Sequence, residues 1–189
     1  MNTYDVIIIG AGSVGLPTAL AMSEVGVRTL IIDQAPSPGQ GSHKAAIGGV
    51  RATHSTPAKI RLCMRSLDIL STWEEMRGQA IEWTEGGYTF VAYREEEART
   101  LRHLLIAQQA YGLNIQWMDR TELLNVVPAL NREGLLGGTY SPEDGHCSTL
   151  LAGHAFYEEA KGAGATFHFN EHVTGISTQG KRITGVTTD

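Results

Sequence analysis

Cysteine is scarce: Cys63 and Cys147 are the only two in 189 residues. Two thiols this far apart cannot supply the dense disulfide framework of small secreted domains, so a reducing, cytoplasmic setting is expected. Positive charge is also in short supply, with 15 Lys and Arg against 20 Asp and Glu and a formal net charge of -5. Without a cationic surface to neutralise phosphates the chain is expected to bind no nucleic acid, and a small molecule is the expected partner. Uninterrupted apolar runs are short. Val6 to Met22 comes nearest, but Gly10, Gly12 and Gly15 break it and Asp5 precedes it. It therefore reads neither as a secretory signal nor as the roughly 20-residue span of a membrane helix, and no integral membrane segment is expected. Metal-ligand spacing is missing as well: His168 and His172 lie in a β-like stretch with no third ligand, so no metal is expected. What remains is 42% hydrophobic and 19% charged. That balance excludes disorder, collagen and coiled coil, and it describes a globular chain able to bury roughly 70% of its unfolded surface.

What is present begins with a β-branched run, Tyr4 to Ile9, that suits a parallel strand covered on both faces. Gly10-Ala11-Gly12-Ser13-Val14-Gly15 follows, then a helical stretch over Leu16 to Val25 with Pro17 in its first turn and Gly26 at its end. A second strand over Val27 to Ile32 stops at Asp33. The spacing predicts one βαβ unit in which a GxGxxG turn opens a helix and an acid stands 18 residues past Gly15. In that context such glycines bind a dinucleotide. Gly10 permits a tight turn, Gly12 lets a pyrophosphate approach the backbone, and Gly15 allows close helix packing. Asp33 can accept both ribose hydroxyls, while the helix N-terminus favours the phosphate charge. These physics do not separate NAD from FAD.

Residues 34–56 are rich in Gly, Ser, Pro and Ala and are long for a structureless connection, which points to function. Ser42, His43, Lys44, Arg51 and His54 lie in this segment. Thr56 and Pro57 then predict a helix start, with Ile60, Cys63, Met64, Leu67 and Leu70 on one apolar face. From Ile81 the pattern turns to short strands, Gly87 to Tyr93 being the clearest. A helix from Glu95 to Gly112, a short helix over Asp119 to Leu124 and a strand over Gly134 to Tyr140 follow, and this block reads as an insertion with its own sheet. A helix over Ser148 to Ala160, a third parallel strand over Thr166 to Phe169 and a hairpin about Gln179-Gly180 complete the pattern. A doubly wound sheet has five or six strands, and only about three parallel ones are found. The C-terminal part of the fold is therefore expected to be missing from this sequence, leaving a sheet edge prone to aggregation. The expected domains are a discontinuous, incomplete nucleotide-binding domain over 1–80 and 145–189, and part of an inserted substrate or cap domain over 81–144.

The stretch Gly10 to Ala19, with a small residue four after the third glycine, resembles flavoproteins of the glutathione-reductase-like fold. Gly41 to Gly48 after the second strand, the Gly87 to Val91 strand and Asp144-Gly145 before a helix narrow this. From Tyr4 to Asp189 the chain resembles the D-amino-acid oxidase family, which includes glycine oxidase, sarcosine oxidase and its β subunits, and related amine dehydrogenases. The resemblance implies an α/β fold: a Rossmann-like FAD-binding domain with an inserted α+β substrate domain. It implies bound FAD, with Gly10, Ala11, Gly12, Ser13, Val14 and Gly15 around the pyrophosphate and Asp33, beside Gln34, at the ribose. Most relatives carry Glu where Asp33 stands. The same resemblance sets Ser42, His43 and Lys44 along the pyrophosphate and ribityl chain, Ala46 and Gly48 near the flavin ring, and Val173 against adenine through its backbone. Arg51 is the candidate for holding a substrate carboxylate, because a guanidinium suits bidentate carboxylate binding. For His54 a surface position is the simpler reading. Cys63 reads as a core residue, and Cys147 stands ahead of a helix, where a thiol pKa can fall.

The activity this implies is hydride transfer to flavin from the C–H next to nitrogen in an amino acid or N-methyl amine such as sarcosine, glycine or proline. Oxygen or an electron-acceptor protein would be the second partner, and the β subunits within the family bring in a hetero-oligomer. No catalytic residue is named, because the resemblance places those groups partly in the C-terminal half. The alternatives are a 2-hydroxy-acid or glycerol-phosphate dehydrogenase of the same fold, an NAD(P)-binding dehydrogenase domain, and a nucleotide-binding subunit with no activity of its own.

Overall fold

The computed structural model describes residues 3–189. In chain order its elements begin with β1 (Val6–Ile9), α1 (Gly15–Glu24), β2 (Thr29–Asp33), α2 (Ser42–Ala45), β3 (Gly49–Val50) and α3 (Pro57–Ser71). Next come α4 (Trp73–Arg77), β4 (Thr84–Glu85), β5 (Tyr88–Ala92), α5 (Glu95–Ala110), β6 (Gln116–Asp119) and α6 (Arg120–Val126). The last are β7 (Gly137–Ser141), β8 (Gly145–His146), α7 (Thr149–Gly162), β9 (Thr166–Phe169), β10 (Val173–Gln179) and β11 (Arg182–Thr188). They form two compact units: the residues up to Ile47 together with Ser148–Asp189, and Gly48–Cys147.

The first unit is an α/β layer. Its sheet runs β1-β2-β9, all parallel, with Ile8 opposite Ile31 and Ile31 opposite Phe167. β2 is the middle strand and is buried over Thr29 to Ile32, which is why that run is apolar or β-branched without alternation. At the strand entrances Arg28 donates two hydrogen bonds to Asp5, at 3.0 and 2.8 Å, which hold the Asp5 carboxyl below its ordinary range. Helix α1 buries Leu16, Ala19, Leu20 and Ser23 and packs against α7. The buried positions of α7 include Ala152, Gly153, Ala155 and Ala160, small residues that let another helix approach closely. Tyr157 of α7 meets Phe167 of β9 edge to face at 4.7 Å. The β10-β11 hairpin turns at Gly180, whose φ of 63° is the left-handed value such a turn requires.

The second unit has its own antiparallel sheet, β5-β7-β6, in which Phe90 and Trp117 flank Thr139. Helix α5 packs on that sheet, with the Arg102 guanidinium 4.2 Å from the Trp117 ring. Its start is closed by Glu97, whose carboxylate accepts the amides of Tyr93 and Arg94. Asp119 caps α6 by accepting the amides of Thr121 and Glu122, while Glu122 accepts the Asp119 amide, a reciprocal capping box. A smaller sheet, β3-β8-β4, joins Gly49 and Thr84 to His146.

The sequence pattern grouped residues up to 80 with the nucleotide-binding part, whereas the structure packs 48–80 into the second unit. The reason is a shared core. Ala52, Leu67, Leu113 and Ile115 are buried together, and Val50, Cys63, Met64, Trp83 and Leu105 pack on them, so the apolar face of α3 is covered by second-unit residues. Residues 34–56 are also less irregular than their composition suggests, since α2 and β3 lie within them. Among the described residues no helix is long and apolar enough to cross a membrane, and no cluster of His, Cys, Asp or Glu is arranged to hold a metal.

Candidate functional site

In the first unit the turn between β1 and α1 is held from below and open above. Gly10 has a φ of 103° and donates its amide to Ile32 across the strand ends. A Cβ at Gly15 would stand 1.9 Å from the Gly10 carbonyl oxygen and 3.3 Å from Ile8, so only glycine lets α1 start this close to β1. A Cβ at Gly10 or Gly12 would instead meet nothing within 4 Å. Leu16 donates to the Gly12 carbonyl, but the amides of Gly12, Ser13 and Val14 have no protein acceptor among the described residues. Unpaired amides at the start of a helix, in open space, form an anion cradle. Val14 is 78% exposed and Ile9 55% exposed beside it.

Asp33 closes the base of this turn. One carboxylate oxygen accepts the Ala11 amide at 2.6 Å and the other accepts the Ala35 amide at 2.8 Å. Each oxygen keeps a second lone pair, so the group can still accept from a ligand hydroxyl. A cavity of about 280 Å³ opens next to it, lined by Ile9, Gly10, Ile32, Asp33, Gln34, Glu171, His172 and Val173. This is near the low end of ligand clefts, about 300–1,000 Å³, and suits one nucleoside end of a larger cofactor. Gln34 and Val173 thus come together with Asp33. Glu171 and His172 line the same wall and had no motif to announce them.

Two residues expected at the cofactor are engaged elsewhere. Ala11 is fully buried, its amide donates to Asp33 and its carbonyl accepts the Gly39 amide at 2.8 Å, so its N–H is not available to a cofactor. His43 turns its ring into the protein, where Nε2 lies 2.5 Å from the Thr149 carbonyl oxygen. A Cβ on Gly153 would come within 2.6 Å of that nitrogen, and one on Gly39 within 2.9 Å of the ring. Through Nε2 the imidazole fastens α2 to the start of α7. Ser42, Lys44 and Ala46 are exposed, and Lys44 donates to Gln40. Gly48 is a buried residue of the second unit, with φ 82°, and its carbonyl accepts the Cys147 amide.

The second unit carries a cationic site built on an aromatic platform. The Arg51 guanidinium lies 5.2 Å from the Tyr88 ring centroid and 5.0 Å from that of Phe90, which alternate onto one face of β5. Nη1 of Arg51 donates to the Thr53 carbonyl and, at 3.4 Å, to the Thr53 hydroxyl. Behind it, fully buried Asp144 accepts the Ala52 amide at 3.0 Å and the Thr53 hydroxyl at 3.3 Å. Burial pushes the Asp144 carboxyl above its ordinary range, against the pull of those bonds and of the Arg51 charge. His54 is held below its ordinary value by burial and by the charges of Arg51 and Lys59. Its carbonyl accepts Gln108. Burial raises the Cys147 thiol, which corrects the idea that its place before a helix would lower it. Tyr88, Phe90, Thr53 and Asp144 were not picked as site residues from sequence; the Gly87 to Val91 strand and the Asp144-Gly145 pair were the visible signals.

A strand, a glycine turn with free amides and an acid at the end of the next strand define a dinucleotide-binding α/β protein. The family model for FAD dependent oxidoreductases (DAO) matches residues 5–189, and the chain belongs to that family. It is similar to glycine oxidase of Geobacillus kaustophilus (strain HTA426), 30% identical over 174 residues that cover 88% of this chain and 46% of that one. It is also similar to sarcosine oxidase subunit beta of Rhodobacter capsulatus, 23% identical, covering 98% of this chain and 46% of that one. Among solved structures, L-proline dehydrogenase from P. horikoshii superposes with a TM-score of 0.93 at 26% identity, over 100% of this chain and 50% of that one. The chain spans about half the length of these relatives. FAD is the cofactor of the family, and the open cradle, its unpaired amides and the neighbouring acid fit a dinucleotide.

Proposed function

We propose that this protein oxidises the C–N bond of a small amino acid or N-methyl amino acid, of the kind represented by sarcosine, glycine and proline. The observation that carries the reading is the glycine turn with three free amides beside Asp33, in a chain matched throughout residues 5–189 by an FAD-dependent family. The names of the relatives, an oxidase of glycine, an oxidase subunit for sarcosine and a dehydrogenase of proline, support the substrate class.

FAD, when bound, would supply the two-electron acceptor for oxidation of the C–N bond, with oxygen or an acceptor protein as the final acceptor. The chain's own part is binding and orientation. In this reading Gly12, Ser13 and Val14 direct their amides at the pyrophosphate, Gly10 and Gly15 shape the turn, and Asp33 accepts a ribose hydroxyl through its spare lone pairs. Gln34 and Val173 line the adenosine end. Ser42, Lys44, Ala46 and Gly48 follow the remainder of the cofactor, with His43 pinning their segment. Arg51 holds the substrate carboxylate, since among the described residues only one of its nitrogens donates to the protein and the rest of its planar fork remains for two oxygens. A cytoplasmic setting, supported by two cysteines that stay unpaired, belongs to the same reading. So does assembly with a second kind of subunit, supported by the likeness to a sarcosine oxidase β subunit.

The test is the visible spectrum of the flavin-loaded protein before and after anaerobic sarcosine, glycine and proline. Bleaching of the flavin bands by at least one of them is expected. Bleaching by 2-hydroxy acids or glycerol phosphate alone would overturn the amine reading, and a folded protein that takes up no flavin would overturn the cofactor assignment of these residues.

A further inference from the structure

We infer that Asp144 is a positioning residue that aims Arg51, acting through Thr53; this rests on the reading of Arg51 as the carboxylate anchor. Asp144 has no exposed surface, yet it is a carboxylate, and a buried carboxylate is costly unless it is well bonded. Its three bonds all go to the two segments that frame Arg51. The side chain accepts the Ala52 amide and the Thr53 hydroxyl, immediately after Arg51 in the chain, and its backbone carbonyl accepts the Gly87 amide at 2.8 Å, immediately before Tyr88. Asp144 therefore sets both the loop that carries the guanidinium and the start of the strand that carries its aromatic platform.

No ion pair joins Asp144 to Arg51 directly. The link runs through Thr53: its hydroxyl gives its proton to Asp144 at 3.3 Å, while Nη1 of Arg51 donates to the Thr53 carbonyl and, at 3.4 Å, to a lone pair of the same hydroxyl. That arrangement fixes the guanidinium by its Nη1 edge without neutralising it by contact, so positive charge and free donors stay available to a ligand. An Asn at 144 could still accept the Ala52 amide, but its NH2 would face the Thr53 hydroxyl, whose proton would lose its acceptor. The aim of Arg51 would loosen while the fold kept its shape.

The experiment is a double-mutant cycle on the flavin-loaded protein, with whichever of sarcosine, glycine and proline bleaches the flavin. Asp144→Asn is expected to raise KM about tenfold with kcat changed less than about threefold, the pattern of lost binding rather than lost chemistry. Arg51→Ala is expected to raise KM further, and Asp144→Asn added to it is expected to change nothing more, because both act on one interaction. Thr53→Val, which keeps shape and removes the hydroxyl, should reproduce the effect of Asp144→Asn, and Thr53→Ser should restore the wild-type KM. Wild-type KM in both Asp144→Asn and Thr53→Val, beside a raised one in Arg51→Ala, would overturn the role of Asp144 and leave Arg51 standing. An unchanged KM in Arg51→Ala, or no bleaching by any of the three, would overturn the Arg51 reading itself. Full additivity of Asp144→Asn with Arg51→Ala, or failure of both Asp144→Asn and Thr53→Val to load FAD, would show that Asp144 supports the fold at large and not the aim of Arg51.

Discussion

Single side chains in this protein frequently serve the scaffold where their sequence position suggests a ligand. Ala11 and His43 are the clearest cases: both lie within the segments expected from sequence to meet the cofactor, and both are tied to their own unit by hydrogen bonds to Asp33, Gly39 and Thr149. The opposite case is Ser23, a polar side chain on the buried face of α1. It is 6% exposed and its hydroxyl has no partner among the described residues. Ser23→Ala removes an unsatisfied buried group and places a better helix former in the last turn. A stabilisation of about 1 kcal/mol is expected, read as a shift of the urea midpoint with no change in slope. A loss of stability would mean that the hydroxyl is bonded in solution.

At the scale of the element, the β1-α1 turn separates two duties that the GxGxxG motif merges. Gly15 meets protein and Gly12 meets open space, as the positions of a hypothetical Cβ show. Gly15→Ala forces a methyl against the Gly10 carbonyl and is expected to lose about 1–3 kcal/mol or more of stability together with FAD binding. Gly12→Ala is expected to keep the stability of the flavin-free protein and still lose FAD affinity, because the new methyl stands where the pyrophosphate would approach. Thermal melts without flavin and fluorescence titration with FAD measure the two effects separately. Equal loss of stability in both variants would refute the division of labour.

At the scale of the whole molecule, the pH dependence of stability should carry the signature of one buried acid. The Asp144 carboxyl is raised above its unfolded value of 3.8, chiefly by burial. A raised carboxyl binds its proton more tightly in the folded state, so its contribution is full below the unfolded pKa and is lost as pH rises through the folded one. Asp144→Asn lacks that contribution. The stability of the wild type relative to this variant is therefore expected to shrink as pH rises above about 4 in urea titrations. A gap that widened instead would mean that the bonds from Ala52 and Thr53 outweigh the penalty of burial.

The local grammar of the chain was legible without coordinates. The βαβ unit, the strand at Thr166 to Phe169, the helix starts at Pro57 and at Asp119, and the Gln179-Gly180 turn follow from periodicity, β-branching and turn chemistry, all of which act within a few residues. So did the glycine turn, because its spacing is itself the geometry. The short elements α4, β4 and β6 carry too little pattern to stand out, and the membership of α3 in the second unit depends on Leu113 and Ile115, which lie far along the chain. The Arg51 site was half visible: the guanidinium could be suspected from its type, but Tyr88, Phe90 and Asp144 reach it only through long-range strand pairing and one buried carboxylate. Local propensity and spacing decided which segments form and where a dinucleotide is cradled. Tertiary packing decided which side chains remain free to meet a ligand, because a hydrogen bond made inside the fold is a donor or acceptor withdrawn from the site.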